Sequence, residues 1–530
     1  MNDGAMQFHA LTLDKFLEHA AKWHPDTEVV TARADGVSAR IGYSALAQRA
    51  RRISGVLAGF GVRHGRRVAT LAWNSQSHLE AWFAIMGMGA TCHTLNPRLT
   101  AEQTAAMLRQ SQAQILIVSA DLLPLAREIA AEAPVQHILV IDGDAKERAG
   151  EPAIQALEGL LADAQDFAWG GFDENTACGL CFTSGTTGQP KGVTYTHRSS
   201  YLHTLRLLMA DVMGITAKDA ILPVVPMFHA NAWGMPFAAA AAGAKLVLPG
   251  RHADGKSLAR LIASEEVTIA AAVPTVWLGL VEHLEAEGGE LPSLKRVIVG
   301  GSPMPPALMK RIERRLGVAV QTSWGMTELS PLGTMAPPDL EDRDAGLSGR
   351  PAFGIDLLLT DADGRALAQQ RDTEGHLHVR GPAVVERYLG QASPATDADG
   401  WFDTGDLARI DSKGNLVITG RAKDLIKSGG EWINPAQIEV VVSTLPQVSL
   451  AAVVGRADPK WGERPLLLVE LRKGEELSDQ QLLEPLQGRV APWWIPDEIV
   501  RLPKMPTAAT GKVDKMLLRS QYGQAELRAE

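Results

Sequence analysis

The spacing of apolar residues in the first part of the chain predicts alternating helices and strands. Between residues 11 and 60, apolar side chains recur every three to four positions, as in Leu46, Ala50, Ile53 and Leu57, which is typical of amphipathic helices. Short apolar runs at 27–32, 67–72 and 115–118 predict strands between the helices, and 94–98 predicts a turn. Such alternation indicates βαβ units that build a parallel sheet covered on both faces.

The same pattern resumes in the middle of the chain. Apolar runs at 178–182, 220–225, 244–248, 269–273 and 296–299 predict buried strands, and an alanine-rich stretch ending at Ala242 predicts a buried helix. Residues 193–197 fit either a second strand or the start of a helix. Because ligands of parallel sheets gather at the carboxyl ends of the strands, the loops that follow these runs are candidate binding segments.

From about Gly346 the pattern changes to short strands separated by Asp/Gly turns, which predicts a small antiparallel subdomain. We therefore expect an α/β protein whose N-terminal domain spans 1–422, with two α/β subdomains of mostly parallel sheets in 1–345 and a β subdomain in 346–422. A hinge at Lys423 would lead into a small, mobile α+β domain spanning 423–530.

Composition narrows the class of protein. A chain of 530 residues exceeds what one hydrophobic core supports, and 45% apolar with 21% charged residues is typical of a globular protein. The net charge of −9 argues against nucleic-acid binding. Three cysteines, and neither a leader pattern nor a long apolar run, predict a cytoplasmic protein without a transmembrane segment. Cys178 and Cys181 lie three apart on a predicted strand, so they should face opposite sides.

A loop at 183–192, rich in glycine and hydroxyl groups, is the strongest local signal for chemistry. Glycines let backbone N–H groups approach a phosphate, and hydroxyls can donate to it or bind Mg²⁺. The P-loop pattern fails here, because Pro190 replaces the second glycine and Gly192 replaces the Mg²⁺-binding hydroxyl. This mismatch disfavours a P-loop kinase or switch.

Five further stretches carry candidate chemistry: 321–328, 401–406, 420–432, 506–515 and 226–233. Trp324 offers a plate for stacking on a base, and Glu328 offers a hard oxygen ligand for Mg²⁺. Asp406 can accept hydrogen bonds from two ribose hydroxyls. Taken singly, each stretch fits an ordinary turn, a core tryptophan or a solvated charge.

In this order and spacing the six stretches resemble the adenylate-forming superfamily, which includes acyl-CoA synthetases, firefly-type luciferases and the adenylation domains of peptide synthetases. The resemblance covers residues 11–522. The segments 225–233, 273–278 and 424–433 are most similar to bacterial fatty acid–CoA ligases of the medium- to long-chain type, a group that also holds methylmercaptopropionate–CoA ligases. Trp324 departs from the superfamily's usual Tyr.

The resemblance implies two half-reactions. A carboxylate attacks the α-phosphate of Mg-ATP to give acyl-AMP and pyrophosphate, and the thiol of CoA then displaces AMP. It implies catalytic roles for Lys512, Glu328 and His229, with Lys512 reaching the carboxylate and the α-phosphate. It also implies metal binding by Glu328 with Ser184 or Thr183. A swing of the C-terminal domain about Lys423 would remove Lys512 and open a tunnel for pantetheine.

The resemblance assigns binding roles as follows. The nucleotide would contact Thr183, Ser184, Gly185, Thr186, Thr187, Gly188, Lys191, Gly300, Gly301, Ser302, Thr322, Ser323, Trp324, Gly325, Met326, Thr327, Asp406, Arg421, Lys423, Lys427 and Trp432. The acyl group would lie among His229, Trp233, Val273, Gly301 and Gly325, with Trp233 as a gate, and CoA would pass Ser428, Gly429 and Gly430.

The implied function is an AMP-forming ligase that joins a medium- to long-chain fatty acid to CoA. Ligation of 3-methylmercaptopropionate or an aryl acid, and loading of a carrier protein instead of CoA, stay open as alternatives. An oxygenase of the luciferase type is rarer in the superfamily. The fatty-acid relatives imply a homodimer.

Overall fold

The computed structural model describes residues 6–33, 38–145, 153–183, 190–338, 343–429, 431–508 and 512–524. The first elements alternate helix and strand as expected. They are α1 (Asp14–Trp23), β1 (Glu28–Ala32), β2 (Ser38–Gly42), α2 (Tyr43–Gly59), β3 (Arg67–Leu71), α3 (Gln76–Gly87), β4 (Thr91–Thr94), α4 (Ala101–Ser111), β5 (Ile115–Ser119), α5 (Leu123–Glu132), β6 (His137–Ile141), β7 (Ala153–Ala156) and α6 (Leu157–Leu161).

The middle of the chain continues the alternation. Its elements are β8 (Ala177–Thr183), β9 (Lys191–Thr196), α7 (His197–Leu208), β10 (Ala220–Pro223), α8 (Met235–Ala242), β11 (Lys245–Leu248), α9 (Gly255–Ser264), β12 (Ile269–Ala272), α10 (Pro274–Glu287), β13 (Arg296–Val299), α11 (Pro306–Leu316), β14 (Ala319–Gly325) and β15 (Leu332–Met335). Residues 193–197, for which strand and helix were both open, complete β9 and begin α7.

The last part contains mainly short antiparallel strands. Its elements are β16 (Arg350–Pro351), β17 (Asp356–Thr360), β18 (Glu374–Arg380), β19 (Phe402–Ile410), β20 (Leu416–Arg421), β21 (Ile426–Ser428), β22 (Glu431–Ile433), α12 (Pro435–Val442), β23 (Val448–Asp458), β24 (Gly462–Leu471), α13 (Asp479–Leu483), β25 (Glu498–Arg501) and α14 (Lys515–Tyr522).

Two large sheets form the body of the molecule. A seven-stranded sheet has the order β7-β6-β5-β3-β4-β8-β9 and is parallel except for the hairpin of β8 with β9. A nine-stranded sheet has the order β16-β15-β14-β13-β12-β10-β11-β1-β2. The six neighbouring strands from β14 across the sheet to β1 are parallel to one another. Side chains from both sheets share one hydrophobic core. The α/β fold class predicted from the sequence is confirmed.

Strand β5 shows why the apolar runs were informative. All five of its residues are buried, as expected for a parallel strand that helices cover on both faces. Strand β4 was missed, and Thr94, which the sequence placed in a turn, is its last residue. Its sequence Thr-Cys-His-Thr looks mostly polar, but all four residues are buried. Tertiary packing thus overrides the local pattern.

Two smaller sheets follow. Strands β17 to β20 form a four-stranded antiparallel sheet, which is the small β subdomain expected after residue 346. Strands β21 to β25 form a five-stranded sheet with its own apolar clusters, which run from Ile426 to Tyr522. The predicted hinge at Lys423 lies just before this core. No helix in the described ranges is long and apolar enough to cross a membrane.

A buried asparagine fastens the two large sheets together. Asn74 follows β3, and its Nδ2 donates to the carbonyl oxygens of Pro223 and Val225, each at 3.0 Å. The backbone N–H of Met227 donates to Asn74 Oδ1 at 2.7 Å. Because these bonds end on the last residue of β10 and on the segment that follows it, Asn74 fixes the end of that strand at the junction of the sheets.

Candidate active site

A large cavity lies where carboxyl ends of strands from both large sheets meet the last segment of the chain. Its volume is about 1050 Å³, at the upper end of the range usual for ligand sites. Many of the residues singled out from the sequence line it together: Thr183, Lys191, His229, Trp233, Gly301, Ser323, Trp324, Gly325, Met326, Thr327, Glu328, Arg421, Lys423 and Lys512.

Other predicted site residues do not line this cavity in the arrangement described. The first group contains Gly300, Ser302, Thr322, Asp406 and Val273, of which Val273 packs next to the lining, since its Cγ1 would lie 3.4 Å from a Cβ at Gly301. The remaining four, Lys427, Ser428, Gly429 and Trp432, belong to the C-terminal part around β21 and β22. Residues Ser184, Gly185, Thr186, Thr187, Gly188 and Gly430 lie outside the described residues.

Asp406 is a buried carboxylate held from two sides. The Nε of Arg421 lies 2.5 Å from its Oδ1, and the indole Nε1 of Trp324 donates to its Oδ2 at 2.9 Å. The carboxylate comes from β19 and the guanidinium from the end of β20, whose register places these two residues opposite each other. Burial raises the pKa of Asp406, while Arg421 and the hydrogen bond from Trp324 counteract the rise.

Trp324 fits its place because Gly333 has no side chain. The indole is 8% exposed, and a Cβ at Gly333 would lie 2.4 Å from its Cζ3. Residues 324 and 333 belong to the paired strands β14 and β15. At this position, where the superfamily usually has Tyr, the indole is both a larger plate and the donor of the hydrogen bond to Asp406.

Glu328 presents a second buried carboxylate. Its Oε1 accepts a hydrogen bond from the Tyr388 hydroxyl at 3.0 Å, and the ammonium of Lys191 lies 5.0 Å from the centre of the Tyr388 ring. Burial raises the pKa of Glu328, and the charges of Arg421 and Lys191 and the bond from Tyr388 oppose that rise. The neighbouring carbonyl of Thr327 accepts from the Tyr195 hydroxyl at 2.8 Å, so the segment is held to β9.

Lys512 brings a positive charge to the cavity from the C-terminal end of the chain. Its Cε would lie 3.7 Å from a Cβ at Gly301, whose φ of 82° suits glycine. Burial lowers the pKa of the Lys512 ammonium and so does Arg421, whereas Asp406 and Glu328 raise it. The lysine thus stands among charged groups from the stretches 321–328, 401–406 and 420–432.

His229 is neutral at physiological pH. Burial lowers its pKa to about 4, with a further lowering by the charge of Lys512. A neutral imidazole beside a lysine adds no positive charge to the cavity, so His229 serves better as a wall or a hydrogen-bonding group than as a cation.

Part of the cavity wall is apolar. It is formed by Met213, Phe228, Trp233, Leu332 and Met335. Met213 and Met335 are buried, as is Leu332, so these side chains form a lining continuous with the core. Apolar surface of this kind binds hydrocarbon by removing it from water.

Sequence reasoning missed part of the site. One face of α4 and the turn before it line the cavity with Leu99, Glu102, Gln103, Ala106, Met107 and Gln110. These positions follow helical spacing, but nothing in that spacing separates a cavity wall from a solvated face. Tyr388 was missed as well, because its role depends on a contact with Glu328, which is 60 residues away in the chain.

Comparison with known proteins agrees with this geometry. A model of the AMP-binding enzyme family matches residues 17–389, and a model of the AMP-binding enzyme C-terminal domain matches residues 437–512. The chain belongs to the AMP-binding enzyme family. It is an AMP-forming acyl-CoA ligase, that is, an acid–thiol ligase that binds ATP.

Relatives of this AMP-binding enzyme differ in the acid that their names state. The chain is 40% identical to a 3-methylmercaptopropionyl-CoA ligase of Ruegeria lacuscaerulensis, over 98% of this chain and 99% of that one. It is 41% identical to a medium-chain-fatty-acid–CoA ligase of Ectopseudomonas oleovorans, over 99% and 98%. A long-chain-fatty-acid–CoA ligase of Thermus thermophilus is also 41% identical, over 98% and 96%.

Solved structures share the fold of this AMP-binding enzyme. An anthranilate CoA ligase in complex with anthranoyl-AMP superposes with a TM-score of 0.87 at 23% identity, covering 98% of each chain. ATP-bound MatB from Rhodopseudomonas palustris has a TM-score of 0.84 at 26% identity, covering 97% of this chain and 99% of that one.

Proposed function

We propose that this ligase activates an uncharged, apolar carboxylic acid, with medium- to long-chain fatty acids as the favoured class, and transfers the acyl group to CoA. The observation that carries the choice of acid is the apolar part of the cavity wall formed by Met213, Phe228, Trp233, Leu332 and Met335. A charged acyl group would lose its hydration against these side chains without gaining a charged partner from them.

The nucleotide would lie between the two buried carboxylates. Asp406, fixed by Arg421 and Trp324, would accept hydrogen bonds from ribose hydroxyls through the lone pairs that these two partners leave free. Thr183 and Lys191 stand opposite each other at the start of the hairpin of β8 with β9, so both can face the phosphates. Trp324 and the backbone at Gly301 would contact the adenine.

The donor set also suits Mg²⁺. Glu328 is 7% exposed and reaches the cavity, and Tyr388 occupies only its Oε1. No cluster of three or more acidic, His or Cys side chains with metal-binding geometry occurs within the described ranges. That agrees with Mg²⁺, which is usually held by one or two carboxylates together with water and substrate phosphates. When bound, the ion would offset phosphate charge.

Lys512 would act in the adenylation step. The acid's carboxylate and the α-phosphate are both anions, so their approach is opposed by charge repulsion. An ammonium with hydration largely removed stabilises the added negative charge of the transition state more strongly than the same group would in water. His229, being neutral, would bound the acyl end without competing for either anion.

Ligation of 3-methylmercaptopropionate is a second candidate. Met213, Met326 and Met335 line the cavity, and polarizable methionine side chains accommodate a thioether as well as a hydrocarbon. The relative of Ruegeria lacuscaerulensis that carries this name is about as similar to the chain as the fatty-acid ligases are.

One assay tests the proposal. Release of AMP and pyrophosphate is measured with ATP, Mg²⁺ and CoA across acetate, 3-methylmercaptopropionate, octanoate, palmitate and phenylacetate. We expect release that requires both acid and CoA, with kcat/KM highest for octanoate or palmitate. A maximum at 3-methylmercaptopropionate would select the second candidate. A maximum at acetate or phenylacetate would contradict both, and ADP release would contradict the reaction class itself.

A further inference from the structure

The backbone between His229 and α8 has an uncommon conformation. Ala230, Asn231, Ala232 and Trp233 all have positive φ angles, of 44°, 53°, 47° and 54°, and Gly234 continues at 73°. Single residues in the left-handed region are usually glycine or asparagine, and runs of other residues are disfavoured by contact of Cβ with the following carbonyl. A left-handed turn with one glycine in five residues therefore needs support from its surroundings.

Asn231 supplies contacts for that support. It is 5% exposed, and the Cys181 thiol donates to its Oδ1 at 3.6 Å. Its Nδ2 would lie 3.4 Å from a Cβ at Gly179, so the amide packs against β8. Among the four residues with a side chain in this turn, Asn is also the type that tolerates the left-handed region best.

Neighbouring groups complete a buried cluster around the Cys181 thiol. The Thr94 hydroxyl lies 3.3 Å from Cys181 Sγ and donates to the carbonyl of Phe228 at 3.3 Å. Burial raises the pKa of Cys181, so the sulfur stays a neutral thiol that can donate to Asn231. Through these bonds β4 and β8 hold the residues on both sides of His229.

The turn directs the Trp233 indole into the site. Its Cη2 would lie 3.1 Å from a Cβ at Gly300, and its Cζ2 would lie 3.9 Å from one at Gly301. The indole thus packs on the backbone of the glycine pair, where it forms part of the apolar wall. If the turn relaxed to ordinary right-handed or extended angles, the Cα–Cβ direction at residue 233 would change and the ring would leave this position.

We propose that Asn231 is a positioning residue of the acid-binding cavity: its buried amide holds the left-handed turn that keeps Trp233 against Gly300 and Gly301, and it thereby determines which acyl groups the site accepts. The inference rests on the proposed function, since it concerns the acid that the ligase selects. Asn231 contacts neither reacting group and acts through Trp233.

The test compares Asn231→Ala, Asn231→Gly, Trp233→Ala and the double variant Asn231→Ala/Trp233→Ala in the AMP-release assay across the acid series. We expect Asn231→Ala to lower kcat/KM for the preferred acid about 10-fold to 100-fold, as for other small displacements of a binding wall. The order of acid chain lengths should change, and the KM for ATP should stay within about twofold of wild type. The kcat/KM of Asn231→Gly should lie between those of wild type and Asn231→Ala, because glycine adopts positive φ but lacks the amide.

The double variant identifies the route of the effect. If Asn231 acts through Trp233, adding Asn231→Ala to Trp233→Ala should change the acid profile by less than about twofold. Full additivity would overturn the proposal. So would an equal rise of the KM values for acid and ATP, which would indicate general damage to the fold.

Asn415→Ala provides a matched control. Asn415 is buried in the turn between β19 and β20, and its Nδ2 donates to Asp411 Oδ2 at 2.8 Å. This variant should change thermal stability and leave the acid profile unchanged.

Two outcomes separate this inference from the proposed function. If Asn231→Ala does not fold, Cys181→Ala removes the thiol that donates to Asn231 Oδ1 and should shift the acid profile in the same direction. An active wild type with an unaltered profile in the Asn231 or Cys181 variants would refute the positioning role alone. A wild type that releases no AMP with any acid would refute the proposed function and this inference with it.

Discussion

The hydrogen bond from Trp324 to Asp406 leads to a quantitative prediction. Trp324→Phe keeps an aromatic ring but removes the N–H that donates to Asp406 Oδ2. Since that bond favours the ionised carboxylate, its loss raises the pKa of Asp406, which burial already holds above its ordinary value. The carboxylate proposed to bind ribose would then become protonated at a higher pH than in wild type.

The size of the shift follows from the type of bond. A hydrogen bond to a charged group is worth about 1.5–3 kcal/mol. At 1.36 kcal/mol per pKa unit, this corresponds to a rise of about one to two units. Arg421 still faces the other oxygen, and its partial exposure to solvent makes the lower part of that range the expected result.

The assay is the pH dependence of kcat/KM for ATP at saturating acid and CoA. We expect its acidic limb to move to higher pH by about one unit. Stability gives a second readout with a definite sign. The loss caused by Trp324→Phe should be complete above the raised pKa of Asp406 in the variant. It should shrink as the pH falls from that pKa to the lower pKa of wild type, below which Asp406 is protonated in both proteins.

Trp277→Phe is the matched control. Trp277 is fully buried, and its Nε1 donates to a neutral acceptor, the carbonyl of Ile298, at 3.4 Å. Trp277→Phe loses the same ring atoms as Trp324→Phe. It should lower stability without moving the acidic limb of the pH profile. An unmoved limb in Trp324→Phe, or one displaced to lower pH, would refute the assigned role of the indole.

Two further predictions concern charge in the same cavity. Lys512→Ala should slow formation of acyl-AMP by about 10²–10³-fold while leaving transfer from supplied acyl-AMP to CoA largely intact; single-turnover measurement of each half-reaction checks this, and equal losses in both would exclude the role assigned to Lys512. Tyr388→Phe should raise the pKa of Glu328 and weaken Mg²⁺ binding. The Mg²⁺ concentration that gives half-maximal AMP release should therefore rise by about 10-fold or more. Tyr43→Phe, which loses a buried 2.8 Å bond to the carbonyl of Ala244, should leave that concentration unchanged.

The parallel strands were predictable because burial on both faces leaves a clear mark in the sequence. β5 and β13 read as continuous apolar runs, and the α/β class followed from their alternation with helices. β4 was not predictable in this way, because its Cys92 and His93 are buried by neighbours that are distant in the chain. The His93 ring, for example, bonds to the Ser111 hydroxyl of α4 at 2.9 Å.

The same distinction between local pattern and distant contacts applies to the residues of the site. Segments such as 321–328 and 401–406 could be singled out because each carries its chemistry in a few consecutive residues. The pairing of Trp324 with Asp406, the contact of Tyr388 with Glu328 and the turn at Ala230–Gly234 were not predictable, since each depends on partners brought together by folding. The left-handed turn is the clearest case, because nothing in Ala-Asn-Ala-Trp marks four successive positive φ angles.

The fit of Trp324 against Gly333 restricts the order in which the two positions could change during evolution or design. A methyl group at 333 collides with the indole, so alanine there is tolerable only after 324 has become a smaller ring. A smaller ring alone leaves a void beside Gly333 and deprives Asp406 of a donor. Each single substitution is therefore more harmful than the two substitutions made together. We expect measured effects at 324 and 333 to be strongly non-additive, and a consensus substitution at either position to fail unless its partner is exchanged with it.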